Sequence, residues 1–337
     1  MARNTNYRPP FVWFGGKSPV ADAAWQALGD VDNYVEPFFG SGAVLFLRNG
    51  IGKIETVNDC DGFVSNFWRA LSKDADAVTE AADWPVNEAD LHARHLWLVG
   101  NRKRITERLM GDPEFFDARA AGWWVWGLNC WIGSGWCSGT GPWIAEDGEL
   151  RQLPHLRDTG QGVNRKLPHL RDTGQGVNRK LPHLGNTGKG DCAVRRAWLR
   201  NYLREFSDRL RNVRVCCGDW SRVCGPSVTF RHGLTGVFLD PPYSVERTEG
   251  VYACDSNDVA VEVRQWAIEN GHNDGMRIVL AGYAGEHDMP KDWRVHAWKA
   301  AGGYGLEGNQ AGRENSVRER LWMSPHCVAA RQMELFS

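Results

Sequence analysis

No run of eighteen apolar residues occurs anywhere in this chain, so nothing in it reads as a membrane-spanning helix. No secretory signal pattern stands at its start either, and a cytoplasmic protein is expected. Nine cysteines are present, an odd number, and no two of them form a Cys-x-x-Cys pair. That absence argues against a disulfide framework or a zinc site and for reduced thiols. Cys216 and Cys217 are adjacent in a strand-like run, where they should face opposite ways. Net charge is almost lacking, with 40 Lys and Arg against 41 Asp and Glu. Two nucleotide-binding signatures are missing as well. Trp13-Phe14-Gly15-Gly16-Lys17-Ser18 ends like a phosphate loop, but the position five residues before Gly16 holds Phe11 instead of glycine, and no strand of useful length precedes it. No Gly-x-Gly-x-x-Gly follows the first strand-like segment, which disfavours a dinucleotide. What remains is a chain of 337 residues, long enough for one large α/β domain with an inserted region.

The most informative segment is Asp240-Pro241-Pro242-Tyr243, which follows the apolar run Gly236-Val237-Phe238-Leu239. The run reads as a buried β-strand ending at the aspartate, and strand ends of α/β sheets are where ligands bind. The two prolines end the ladder and fix the backbone. The rigid turn sets a carboxylate, a free carbonyl and an aromatic ring side by side. Together these can accept both hydrogens of an exocyclic amino group and stack on a planar base.

Near the N-terminus, Tyr34-Val35-Glu36-Pro37-Phe38-Phe39-Gly40-Ser41-Gly42-Ala43-Val44-Leu45 reads as a short strand, a glycine-bearing turn and an apolar helix start. Gly40 and Gly42 permit a tight turn and close approach of a ligand at the head of a first βα unit. Trp13 to Lys17, Glu36 to Phe46 and Asp240 to Tyr243, in that order and with a long stretch before the last, resemble the Dam-type DNA adenine methyltransferases. Two weaker segments are similar as well: Val57-Asn58-Asp59 with Asn66 to Leu71, and Cys217-Gly218-Asp219-Trp220.

The resemblance covers roughly residues 9–72 and 195–325. It implies a seven-stranded Rossmann-like sheet built from residues 1–72 and 195–337, with residues 73–194 inserted as a target-recognition region. It implies S-adenosylmethionine as cofactor, lined by Trp13, Lys17, Glu36, Phe38, Gly40, Ser41, Gly42, Asp59, Asp219 and Trp220, with Asp59 on the ribose. It implies double-stranded DNA as partner, no required metal, and Asp240, Pro241, Pro242 and Tyr243 gripping a flipped adenine. The amino nitrogen of adenine needs orientation and a strong electrophile, not a covalent enzyme intermediate. A cytosine ring-carbon enzyme would need a cysteine after proline, and no Pro-Cys pair occurs. Cytosine's amino group, adenine in RNA and an inactive DNA-binding relative stay open as alternatives.

Residues 151–222 hold sixteen Lys or Arg against six Asp or Glu, a local +10 that leaves −11 for the rest. Such a stripe suits phosphate contact, although arginines such as Arg195, Arg196, Arg200, Arg204 and Arg211 also fit a solvated helix face. Six of the twenty-one residues from Trp123 to Trp143 are tryptophan, and the glycines among them suggest turns after a helix end near Leu128. Leu128-Asn129-Cys130 stands where the Dam group has Leu-Asn-Arg, so Asn129 is implied near the DNA while the arginine is missing. A fourteen-residue unit then repeats, RQLPHLRDTGQGVN followed by RKLPHLRDTGQGVN and a third, altered copy ending at Gly190. It reads either as a DNA-reaching extension, with Arg165, Lys166, Arg179 and Lys180 on phosphates, or as a tolerated surface insertion. His155, His169 and His183 recur once per unit without a second ligand type, and no metal is expected there. After Asp240, the spacing predicts a helix over Val259 to Asn270 and strands over Met276 to Tyr283 and Arg320 to Ser324.

Overall fold

The structure, a computed structural model, describes residues 9–11, 17–131, 136–137, 143–146, 149–152, 192–242, 258–298 and 319–329. Short apolar runs make the strands of its central sheet: β1 (Asn33–Glu36), β2 (Ile54–Asp59), β5 (Val213–Cys217), β6 (Thr235–Leu239), β7 (Met276–Tyr283), β8 (Arg294–Ala297) and β9 (Glu319–Met323). A separate hairpin, β3 (Trp143–Glu146) and β4 (Glu149–Gln152), pairs antiparallel outside this sheet. The seven strands lie in the order β5-β2-β1-β6-β7-β9-β8. The five strands from β5 to β7 are parallel, and β9 and β8 close the sheet as an antiparallel pair. The chain leaves β1 outward to β2 and leaves β6 outward to β7. The strand order therefore reverses between β1 and β6, and their carboxyl ends form the switch point outside which ligands bind in such sheets.

Both faces of the sheet are covered, and its strands alternate between two cores. Phe238, Val279, Leu321 and Cys217 face one core, while Val237, Leu239, Ile278, Leu280, Trp322 and Cys216 face the other. The adjacent cysteines thus point apart, as the pleat requires. The first core is covered by α1 (Ala21–Leu28), α3 (Gly62–Lys73) and α7 (Cys192–Leu210), and the second by α8 (Val259–Asn270). Cys60, Cys130, Cys137, Cys216, Cys217, Cys224 and Cys327 are free thiols. Among the described residues, no helix is long and apolar enough to cross a membrane.

Three helices continue from α3 and pack with it: α4 (Ala75–Ala82), α5 (Glu88–Gly111) and α6 (Ala118–Cys130). Each starts at a side-chain cap that accepts a backbone N–H, Asp74 for α4, Asn87 for α5 and Asp117 for α6. The helix end read near Leu128 is that of α6, which stops at Cys130; Gly122 and Gly127 lie inside it and are not turns. Helix α6 runs straight through Gly122 and Gly127, because both glycines are points of close packing. A Cβ on Gly122 would lie 2.4 Å from the Ala81 side chain, and one on Gly127 would lie 1.8 Å from the Trp136 ring. Trp124, Trp126, Trp131 and Trp136 are buried, so these rings serve the core. Gly127→Ala should therefore destabilise the protein by ~2 kcal/mol, because overpacking outweighs the gain in helix propensity. Gly100→Ala, at a helical position with open space around it, should instead stabilise slightly. Denaturant midpoints of the two variants check this pair.

Four arginines of the basic stripe, all on α7, are engaged with the protein itself. On α7, Arg204 makes two hydrogen bonds to Asp76 of α4, at 3.0 and 2.6 Å, and Arg200 lies 3.6 Å from the same carboxylate. Arg196 reaches Asp83 at 2.6 Å. Arg209 turns inward and grips Glu55 of β2 with both terminal nitrogens, at 2.6 and 2.9 Å. The partners of these four arginines stand more than a hundred residues earlier in the chain.

Candidate active site

The crevice at the switch point is built from three strand ends. Strand β1 ends at Glu36, and Pro37 then turns the chain into the glycine loop that leads to the short helix α2 (Ala43–Phe46). The loop needs its glycines. Gly40 and Gly42 have φ of +46° and +71°, and a Cβ on Gly42 would meet the rings of Phe46 and Phe39 at 2.4 and 2.7 Å. Neighbouring elements hold the loop in place. Gly40 donates its N–H to the Asp59 carboxylate at 2.8 Å, and its carbonyl accepts from the Trp68 indole at 2.8 Å. Phe39 donates to the Asn58 carbonyl at 2.9 Å.

Strand β2 ends at Asp59, whose second oxygen accepts the Asp61 N–H at 2.9 Å. Burial is the main cause that raises the Asp59 carboxyl to about 7, with the Asp61 charge adding to it and the two backbone hydrogen bonds opposing. Asn58 donates to the carbonyls of Pro37 at 3.1 Å and Gly218 at 2.9 Å, which ties the ends of β1, β2 and β5 together. Beyond β5, Asp219 accepts from the Ser221 N–H and hydroxyl and starts the 3-10 turn Trp220–Val223. Trp220 stacks on Phe38 with ring centres 6.3 Å apart. These two rings form an aromatic wall on the β5 side.

The third strand, β6, delivers Asp240. Its carboxylate forms an ion pair with Lys17 at 3.0 Å, with Lys17 only 4% and Asp240 18% exposed. Pro241 is buried and Pro242 half-buried. Next to this pair, on β1, Glu36 is 2% exposed and accepts the Tyr34 hydroxyl at 2.9 Å. Burial above all pushes the Glu36 carboxyl well above the usual range; the Tyr34 hydrogen bond opposes this, and the charges of Asp240 and Asp59 add to the rise.

The structure thus brings Lys17, Glu36, Phe38, Gly40, Ser41, Gly42, Asp59 and Asp240 around one crevice, with Trp220 on Phe38. Lys17, expected on the cofactor, is here the partner of Asp240. The Asp219 carboxylate is turned to Ser221. Asn129 lies on α6 and donates its amide to Val125 of its own helix at 2.7 Å. Trp13, Tyr243, Arg165, Lys166, Arg179 and Lys180 lie outside the described residues. Tyr34, Asn58 and Trp68 were missed by the sequence reasoning. Tyr34 had a legible signal, since residues two apart on a strand share a face and Tyr34 precedes Glu36 by two. Among the described residues, no three His, Cys, Asp or Glu side chains form a metal-holding group.

Sheet order, glycine loop and carboxylate at the switch point are those of a Rossmann-like sheet and agree with a methyltransferase fold. Residues 13–95 match the family model of the D12 class N6 adenine-specific DNA methyltransferase, in agreement with the Dam-type resemblance of the motifs. That match supports adenine methylation of DNA in general. It takes in Lys17, the glycine loop and Asp59, and stops before Asp240. No curated protein matches the chain.

The raised Asp59 carboxyl has a consequence for stability. An aspartate titrates near 3.9 in an unfolded chain and at about 7 here, so between those values the folded state holds more proton. The stability this group contributes is present at low pH and is lost as pH rises through about 7. His95 and His287, both lowered by burial, contribute with the opposite sign. The measurement is therefore a difference: Asp59→Asn should gain stability relative to the unmodified protein as pH rises from 5 to 8. Chemical denaturation of both proteins across that range checks it.

Proposed function

We propose that the protein transfers a methyl group from S-adenosylmethionine to the exocyclic amino group of an adenine turned out of duplex DNA. The observation that carries this reading is Asp240, held by Lys17 at the switch point beside the glycine loop. The residues fit the cofactor. The loop leaves no room for a Cβ at Gly42, and the carboxyls of Glu36, Asp59 and Asp240 lie within electrostatic reach of one another with only Asp240 paired to Lys17, a balance that suits a cationic ligand. When bound, S-adenosylmethionine supplies an electrophilic methyl group on a sulfonium.

The chain's own residues supply binding and orientation. Asp59 would accept from the ribose hydroxyls with the lone pairs left by its two backbone donors. Phe38 and Trp220 offer an apolar wall to the adenine of the cofactor. The Asp240 carboxylate and the Pro241 carbonyl accept the two amino hydrogens of the target base, which aims the nitrogen lone pair at the methyl carbon. Lys17 fixes the Asp240 carboxylate, and the carboxylate stabilises the positive charge that develops on the nitrogen. Tyr243 is assigned to stacking on the base. The same two acceptors would hold a cytosine amino group, and the family match favours adenine.

Asn129, Arg165, Lys166, Arg179 and Lys180 are assigned to DNA contact. The repeat, residues 151–190, has eight basic against two acidic residues. Deleting one unit, residues 165–178, removes three basic residues and one acidic one. The shortened protein should bind duplex DNA more weakly and with a shallower salt dependence, by about one unit of slope for each phosphate it no longer neutralises. Its single-turnover rate at saturating DNA should stay unchanged. The reading as a whole is tested by incubating the protein with duplex DNA and methyl-labelled S-adenosylmethionine. Label should enter the DNA; absence of label in DNA of varied sequence would contradict the reading.

A further inference from the structure

Among the described residues, Asp240 is the crevice carboxylate paired with a cation, while Asp59 and Glu36 have neutral donors, and of these two Glu36 is the more buried, at 2% exposed. Asp240 has Lys17, and Asp59 has the Gly40 and Asp61 N–H groups. Glu36 has a neutral hydroxyl from Tyr34 and a backbone hydrogen bond at Leu45. The titratable groups that face it are Tyr34 on its own strand, Asp59 at the end of β2, and Asp240 after β6 with its partner Lys17. No described Lys, Arg or His pairs with Glu36, and its two carboxylate neighbours both oppose a further negative charge. A side chain 2% exposed in that setting favours its neutral form. A cation placed in the crevice reverses the balance.

We infer that Glu36 carries a proton in the free protein and gives it up to solvent when a sulfonium enters the crevice, so that the site senses the charge of its cofactor. The inference rests on the methyl-transfer reading and deepens it. S-adenosylmethionine carries the sulfonium, and its product S-adenosylhomocysteine is the neutral thioether with the same amino-acid end. Transfer of the methyl group therefore removes the charge that held Glu36 ionised. Glu36 takes a proton back from solvent, and the crevice loses its preference for what it holds. Product release and reloading are biased by one proton.

Calorimetric titration in buffers of different ionisation enthalpy counts that proton directly. At neutral pH, the protein should release ~0.5–1 proton more on binding S-adenosylmethionine than on binding S-adenosylhomocysteine. The ratio of the two affinities should then rise with pH, by up to about tenfold per unit. Glu36→Gln should abolish both the difference in proton count and the pH dependence of the ratio. Equal proton release with the two ligands in the unmodified protein overturns the inference, and this comparison decides even if Glu36→Gln does not fold. Retention of the difference in a folded Glu36→Gln protein overturns it as well. If neither ligand binds, the methyl-transfer reading fails with it; if both bind without the proton difference, only the inference fails.

Discussion

Asp240→Asn is expected to slow methyl transfer by ~10³-fold, the scale on which removing one preorganised charge-stabilising group acts. The amide keeps the shape of the carboxylate but supplies one acceptor where two were available, and no charge for the developing cation on the nitrogen. Binding of S-adenosylmethionine should change only a few-fold, because Glu36, the glycine loop and Asp59 stand on other strands. Lys17 is left without its charged partner, and at 4% exposure that also lowers stability. The rate must therefore be read in single turnovers on protein shown to be folded. A near-normal rate would remove Asp240 from the role assigned to it.

Glu55→Ala is expected to cost about 3–5 kcal/mol of stability, the range for breaking a buried ion pair. Glu55 is 1% exposed and accepts from Arg209 twice, from Arg48 at 3.0 Å and from the Gly52 N–H at 3.0 Å. The substitution leaves two guanidiniums, each 7% exposed, without their carboxylate where β2, α7 and the segment after α2 meet. Arg204→Ala removes a pair with similar distances on the surface and should cost less than about 1 kcal/mol. Equal destabilisation by the two variants would show that burial does not set the cost here.

The sequence showed its fold where apolar runs were bounded by clear stops. The segments read as Val259 to Asn270 and Met276 to Tyr283 are α8 and β7 with those bounds. The strand before Asp240 is β6, one residue longer. The end of helix α6 was legible near Leu128, but Gly122 and Gly127 read as turn signals, whereas here Ala81 and Trp136 occupy the space their side chains would take. Helix α5 went unread in a polar stretch, although Leu91, Leu98 and Ile105 recur every seven residues on its buried side.

The site was legible as motifs but not as contacts. The glycine loop, Asp59 and Asp240 announce themselves through residue type and order. The pairing of Lys17 with Asp240 joins residues far apart in the chain, and only the assembled sheet brings them together. Charge patterning had the same limit. Arg196, Arg200, Arg204 and Arg209 look like one basic stripe in the sequence, and in the fold each finds a carboxylate on α4, just after it, or on β2.

The central claim, methylation of the adenine amino group in DNA, is tested most directly by the chemical identity of the product. Duplex DNA free of methylated bases is treated with the protein and S-adenosylmethionine, digested to nucleosides and resolved by mass. N6-methyldeoxyadenosine is expected, and it should be absent when Asp240→Asn replaces the unmodified protein. Methylated deoxycytidine in its place, or no methylated nucleoside at all, would contradict it.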